Sequence, residues 1–273
     1  MEHDPSGYFG TAAHYLRGRP PYSDELVGVL RAECGLDGSG RLIDVGCGPG
    51  VLAVELAAEF ADVVGIDPDA AMLDEARRHA HARGVTSARW LAARAEQLAE
   101  LDVGPARLVS FGQSFHWTDR ERVAEMVYDL VEPGGSMVMI NHDIHARQPP
   151  EPPPEPLIPH AQIHALIAEY LGPRRRYGSG MVELHEDSIE DAVARTRFGR
   201  PRTVYAPGRT DIIRTSDEVV SNFLSMSFAA PPLFGDRLDD FVADFRAILA
   251  RTSAGGHFWD WPGDTQMLIA SKS

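Results

Sequence analysis

Residues 42–50 read Leu-Ile-Asp-Val-Gly-Cys-Gly-Pro-Gly, and a second carboxylate, Asp67, stands 17 positions beyond the last glycine. Gly46, Gly48 and Gly50 let the main chain turn tightly and approach a ligand closely. The N-terminus of a helix behind such a turn is electropositive and receives polar or anionic groups. A carboxylate placed as Asp67 is, closing the following strand, grips a ribose in nucleotide-binding βαβ units. Asp44 adds a negative charge two residues before the first glycine. It repels a pyrophosphate and attracts an ammonium or sulfonium centre.

These groups need a strand, a turn, a helix and a second strand to position them. Residues 41–45 and 62–67 read as strands and 51–60 as a helix. The dinucleotide fingerprint asks for glycines at the first, third and sixth positions. Counted from Gly46, the sixth position is Val51. Together with Asp44, this disfavours an NAD-dependent dehydrogenase. The alternation continues with helices at 24–33, where Ser23 is the expected cap, at 70–83 behind Asp69, and at 119–130. Short strands are expected at 89–92, 107–111 and 136–140, so the pattern predicts a doubly wound α/β fold with a parallel sheet.

After Asn141 the texture changes. Seven prolines between 149 and 159 make an extended connector. A helix is expected at 160–171, a strand at 203–205, a helix from the capping box Thr215-Ser216-Asp217-Glu218 to about 227, a helix at 236–250 and a last strand at 265–270.

The acidic residue and Gly-x-Gly-x-Gly of Asp44, Gly46, Gly48 and Gly50, followed by Asp67, resemble the two motifs of the class I S-adenosylmethionine-dependent methyltransferases. The resemblance covers residues 8–141 well and the remainder weakly. It implies a Rossmann-like, doubly wound, mostly parallel seven-stranded sheet with a helical cover inserted around the late strands. Residues 203–205 and 265–270 would form its antiparallel pair. It implies three regions: an aromatic lid at 1–22, a cofactor-binding core at 23–141, and a substrate cover with the final strands at 142–273.

S-adenosylmethionine is the implied cofactor. Tyr8, Phe9 and Tyr15 would shield its sulfonium, and Arg19 would pair with its methionyl carboxylate. Asp44, Gly46, Cys47, Gly48 and Gly50 would cradle it, and Asp67, Pro68 and Met72 would border the ribose. Ala95 and Glu96 would lie along the adenine, with Arg94 where the family often has an aspartate, and Gly112 and Gln113 would follow. The segment after the fourth strand, Gly112-Gln113-Ser114-Phe115-His116-Trp117, lacks the Asn-Pro-Pro-Tyr type of motif found in adenine-N6 DNA methyltransferases. It also lacks the metal-binding aspartate of catechol-type enzymes. Pro20-Pro21-Tyr22 stands at the wrong end of the chain for the former.

His116 has two readings, a general base for an acceptor hydroxyl or an imidazole that shapes its loop. Cys47 reads as a nucleophile or as a small residue in a crowded turn, and the latter is favoured because no base stands beside it in sequence. His160 and His164 share a helix face without a third ligand, so no metal is expected. His142 and His145 border the substrate region, and Trp259 and Trp261 flank Asp260 in a turn before the last strand.

A chain of 273 residues with 44% apolar content supports one large domain or two small ones. Its net charge of −14 argues against a nucleic-acid partner. Two cysteines, Cys34 and Cys47, make no disulfide framework. With no long apolar run and no signal-like N-terminus, a cytoplasmic enzyme without a membrane partner is expected. The partner would be a small-molecule methyl acceptor, and a homo-oligomer stays open. The expected activity is methyl transfer to an oxygen or nitrogen of a small molecule, with a natural-product scaffold among the candidates. The alternative is a protein that binds the cofactor without transferring its methyl group, for sensing or for other catalysis.

Overall fold

The structure, a computed structural model, describes residues 5–143, 153–173, 176–177, 180–181 and 187–273. His145 and the first prolines of the connector lie outside them. In chain order the elements are α1 (Ala12–Gly18), α2 (Leu26–Cys34), β1 (Arg41–Val45), α3 (Val51–Glu55), β2 (Asp62–Asp67), α4 (Ala70–Ala82), β3 (Ala88–Ala92), β4 (Ala106–Gly112), α5 (Arg120–Leu130) and β5 (Val131–Asp143). They continue with α6 (His160–Leu171), β6 (Arg176–Tyr177), β7 (Gly180–Met181), α7 (Ile189–Ala194), β8 (Arg202–Ala206), β9 (Ile213–Thr215), α8 (Ser216–Leu224), α9 (Leu238–Thr252), β10 (His257–Trp259) and β11 (Asp264–Ser271).

Seven strands form one sheet in the order β3-β2-β1-β4-β5-β11-β8. The pairs from β3 to β5 are parallel, and β11 runs antiparallel to both β5 and β8. The expected antiparallel pair is therefore present, with β9, α8, α9 and β10 inserted between its members. Alternation along each strand divides the core. Ile43, Val64, Val109 and Met137 pack on one face with Val123 and Val127 of α5. Leu42, Val63, Leu108 and Val138 pack on the other with Leu26 and Leu30 of α2 and Leu52 of α3. A third apolar cluster joins Ile163 and Ile167 of α6, Val219 and Phe223 of α8 and Phe241 and Phe245 of α9.

Local chemistry sets most boundaries. Asp69 accepts from Ala71 N at 2.8 Å and starts α4, as its type predicts. Thr215 and Glu218 close the expected capping box of α8. Several boundaries differ from expectation, among them β5, which runs from Val131 to Asp143 rather than over 136–140. Helix α2 begins at Leu26 rather than Asp24, because the Ser23 hydroxyl accepts from Glu25 N in a turn that precedes the helix. The helix expected at 51–60 stops at Glu55 and continues as a 3₁₀ turn at Ala57–Glu59. The turn expected around Trp259 is instead strand β10, which pairs with β9 in a separate two-stranded sheet. Among the described residues no helix is long and apolar enough to cross a membrane.

Candidate active site

The glycine turn joins β1 to α3 at the carboxyl end of the sheet, where open α/β folds bind ligands. Gly46, Gly48 and Gly50 have φ of 64°, 52° and 75°, in the left-handed region. Gly46 and Gly50 are also crowded. A Cβ on Gly46 would stand 2.5 Å from Ser114 Cβ, and one on Gly50 would stand 2.6 Å from the Trp90 ring. Around Gly48 there is open space. Asp67, ending β2, accepts from Gly48 N at 2.8 Å through one oxygen and from Asp69 N at 2.9 Å through the other. The carboxylate thus locks the glycine turn and keeps a lone pair on each oxygen for a further donor. Burial raises its pKa to about 6.

Two cavities meet here. A narrow one of about 100 Å³ runs past Asp67, Pro68, Met72, Arg94, Ala95 and Glu96. A larger chamber of about 690 Å³ lies between the N-terminal segment, the glycine turn and the late elements, with Arg19, Tyr22, His142, Arg214, Asn222 and Asp260 in its walls. Tyr15, Gly46, Gly112 and Gln113 line both. Gln113 is the non-glycine residue with positive φ, at 56°, among the described residues. Such strain at a junction of cavities marks a site held in place by its surroundings.

Asp44 is buried in the chamber wall and accepts from Ser110 Oγ at 2.7 Å. Burial raises its pKa to about 7, against the opposing Ser110 bond. His142 stacks on Tyr22 with centroids 4.9 Å apart and planes 16° apart. Burial first, and then the charge of Arg19, lower its pKa to about 4, so the ring is neutral at working pH.

Most of the expected cofactor residues converge. Tyr8, Tyr15, Gly46, Gly48, Asp67, Pro68, Met72, Ala95, Glu96, Gly112 and Gln113 line the narrow cavity. Arg19, Asp44 and Cys47 line the chamber. Arg19 is partly committed: its Nη2 donates to Ser225 O at 2.9 Å, and its guanidinium lies 4.9 Å over the Tyr15 ring. Gly50 lines neither cavity and instead starts α3.

Two expectations are corrected. Phe9 is 47% exposed and lines neither cavity, so its ring does not join the aromatic wall. His116 sits on the 3₁₀ turn Phe115–Trp117, which buries Phe115 and leaves Trp117 and Thr118 on the narrow cavity. The His116 ring packs against Trp117 at 4.7 Å and lines neither cavity. Cys47 is enclosed, and burial pushes its thiol well above the ordinary range, which rules against a nucleophilic thiolate. The two helical histidines do share a face as expected, but it is the one that meets the Phe223 ring. Among the described residues no group of three potential ligands could hold a metal ion.

Arg214, Asn222 and Asp260 entered the site without having been expected there. None carries a local motif. Only the proximity of Asp260 to two tryptophans hinted that its turn mattered.

Residues 42–135 match the family model described as a methyltransferase domain. A probable S-adenosylmethionine-dependent methyltransferase of Saccharomyces cerevisiae is 30% identical over 46% of this chain and 43% of its own length. A ubiquinone biosynthesis O-methyltransferase of Acinetobacter baylyi is 36% identical over 35% of this chain and 40% of its own. An uncharacterized methyltransferase of Mycobacterium tuberculosis is 34% identical over 50% of this chain and 53% of its own. The chain thus spans about half or less of the curated relatives it matches. A solved candidate type II methyltransferase from Anaeromyxobacter dehalogenans, 18% identical, covers 93% of this chain and 97% of its own with a TM-score of 0.52, which is a likeness of fold.

Proposed function

This chain belongs to the class I S-adenosylmethionine-dependent methyltransferases, and from that premise we propose that it moves a methyl group to an oxygen or nitrogen of a small molecule. One observation carries the reading. A narrow cavity with a ribose-binding type of carboxylate opens at Tyr15, Gly46, Gly112 and Gln113 into a chamber large enough for an acceptor.

The residues present fit the cofactor. Asp67 retains acceptor capacity for a ribose diol, and the space beside Gly48 would be filled by any side chain. Asp69 carries a buried oxygen with no partner on the same wall. Arg19 would hold the methionyl carboxylate, and Asp44 would face the cationic part. When bound, S-adenosylmethionine supplies an electrophilic methyl on a sulfonium. The chain's part is to orient the acceptor in line and exclude water. Positioning of this kind contributes ~7–11 kcal/mol in favourable cases.

In this reading residues 1–22 are the lid and residues 142–273 the substrate cover. The name of the Acinetobacter relative, an O-methyltransferase, accords with an oxygen acceptor. The acidic balance of the chain disfavours nucleic acid as the acceptor.

Calorimetry tests the premise. The wild-type chain should bind S-adenosylhomocysteine, with no comparable affinity for NAD. Asp67→Ala removes two charge-assisted bonds worth ~1.5–3 kcal/mol each, so binding should weaken by at least roughly tenfold while the fold survives. Tighter binding of NAD than of S-adenosylhomocysteine would overturn the assignment.

A further inference from the structure

The chamber's polar inventory is unusual. Five buried side-chain atoms of residues lining this one chamber lack a hydrogen-bond partner among the described residues. They are Arg19 Nε, His142 Nδ1, Arg214 Nε, Asn222 Oδ1 and Asp260 Oδ2. Arg214, Asn222 and Asp260 are more than nine-tenths buried. Buried polar atoms are costly to leave unpaired, so their concentration in one wall points to a ligand that pairs them.

The inventory also selects the ligand's chemistry. Two of the atoms donate, two accept, and the imidazole nitrogen makes the fifth. With Arg19 on the cofactor's carboxylate, a carboxylate on the acceptor would pair with Arg214 and be repelled by Asp260. An ammonium would satisfy the two oxygens and be repelled by the guanidiniums. With Arg19 and Asp44 given to the cofactor, the remaining formal charges of the lining cancel: Arg17, Arg83 and Arg214 stand against Glu55, Glu218 and Asp260. Arg214 Nε and Asp260 Oδ2 are 3.9 Å apart, too far for a hydrogen bond but near enough for one hydroxyl to accept from the first and donate to the second.

His142 is set up as a hydrogen-bond acceptor. The Pro20 carbonyl is its backbone partner and Nδ1 is the atom without one, so Nε2 carries the ring proton and Nδ1 the open lone pair. Stacking on Tyr22 fixes the ring plane.

We propose that the chamber takes a neutral, hydroxyl-bearing methyl acceptor and that His142 Nδ1 accepts its hydroxyl's hydrogen bond and so aims the oxygen, an inference that rests on the methyl-transfer reading above. In the step, the acceptor oxygen forms a bond to the methyl carbon and the carbon–sulfur pair stays with sulfur. The hydroxyl proton leaves to solvent as the oxygen–carbon bond forms, so the sulfonium's positive charge departs as that proton while His142 stays neutral and holds the hydroxyl in line. Arg214, Asp260 and Asn222 hold further polar groups of the acceptor.

The test uses the ¹⁵N-labelled full chain saturated with S-adenosylhomocysteine, with the imidazole signals followed by nuclear magnetic resonance at pH 7. The signal lost in His142→Asn identifies His142, and it should report a protonated Nε2 and a bare Nδ1. Benzyl alcohol, benzoate and benzylamine, which share a ring and differ in head group, are then titrated in. Benzyl alcohol should move the Nδ1 signal and the other two should not. A protonated Nδ1, an equal or larger response to benzoate or benzylamine, or no response to any of the three overturns the proposal. Failure of S-adenosylhomocysteine to bind at all would instead sink the methyl-transfer reading beneath it.

Discussion

Asp44 and Asp67 are both buried carboxylates, and burial raises the pKa of each, to about 7 and about 6. Raised values mean that the folded chain binds protons which the unfolded chain, with aspartates near their ordinary value, has released. The stabilisation from these two groups is therefore complete at low pH, and it is lost as pH rises through the folded values of about 6 and about 7. Asp44→Asn removes the buried charge and keeps an acceptor for the Ser110 hydroxyl. The ligand-free variant should melt a few degrees above wild type at pH 8, each ~1 kcal/mol being worth ~2–4 °C in a chain of this size, and the gain should shrink toward pH 5. The same variant should bind S-adenosylmethionine more weakly, because the chamber loses its nearest negative charge. Thermal melts at the two pH values decide the matter. A variant no more stable than wild type at pH 8 would show that the charge is not destabilising.

At the scale of elements, α1 and α8 meet so closely that only glycine fits between them. A Cβ on Gly18 would stand 2.5 Å from Ser221 O and Asn222 N, both backbone atoms. Arg214 ties the contact from the other side by donating to the Gly18 carbonyl, and Arg17 pairs with Asp217 on the surface at 3.1 Å. Helix α1 carries Tyr15, and α8 carries Asn222, so this crossing sets the width of the chamber. Gly18→Ala should push the helices apart. Trypsin should then cut after Arg17 faster than in wild type, while far-ultraviolet circular dichroism stays the same. Unchanged cleavage would mean that the crossing absorbs a methyl group and does not hold the lid.

At the scale of the molecule, β11 binds the late part of the chain to the sheet. It is registered with β5 over residues 264–271 and with β8 over residues 265–269, between two strands that cannot pair with each other without it. Met267, Leu268 and Ile269 are buried on its two faces. A chain shortened to end at residue 262 should lose cooperative urea unfolding, because both sheet faces are opened at once. A single sharp transition with the wild-type slope in the shortened chain would show that the sheet closes without that strand.

Much of this was readable in the sequence because its causes are local. Glycine spacing dictates a tight turn, an apolar run of five residues dictates a buried strand, and Asp69, Thr215 and Glu218 cap their own helices within one turn. Hence the core strands and the binding loop followed from residues close together in the chain, whereas the seven-stranded sheet with its antiparallel pair was implied by the family resemblance. The acceptor side did not, because its cause is contact between distant segments. Tyr22 meets His142, and Arg214 meets Gly18 and Asp260, across separations that no periodicity records. His116 shows the same limit at short range. Sequence order puts it after β4, but a single 3₁₀ turn decides that Trp117 faces the cavity and the histidine does not. Side-chain direction in an irregular segment depends on what packs against it, and tertiary structure alone decides that.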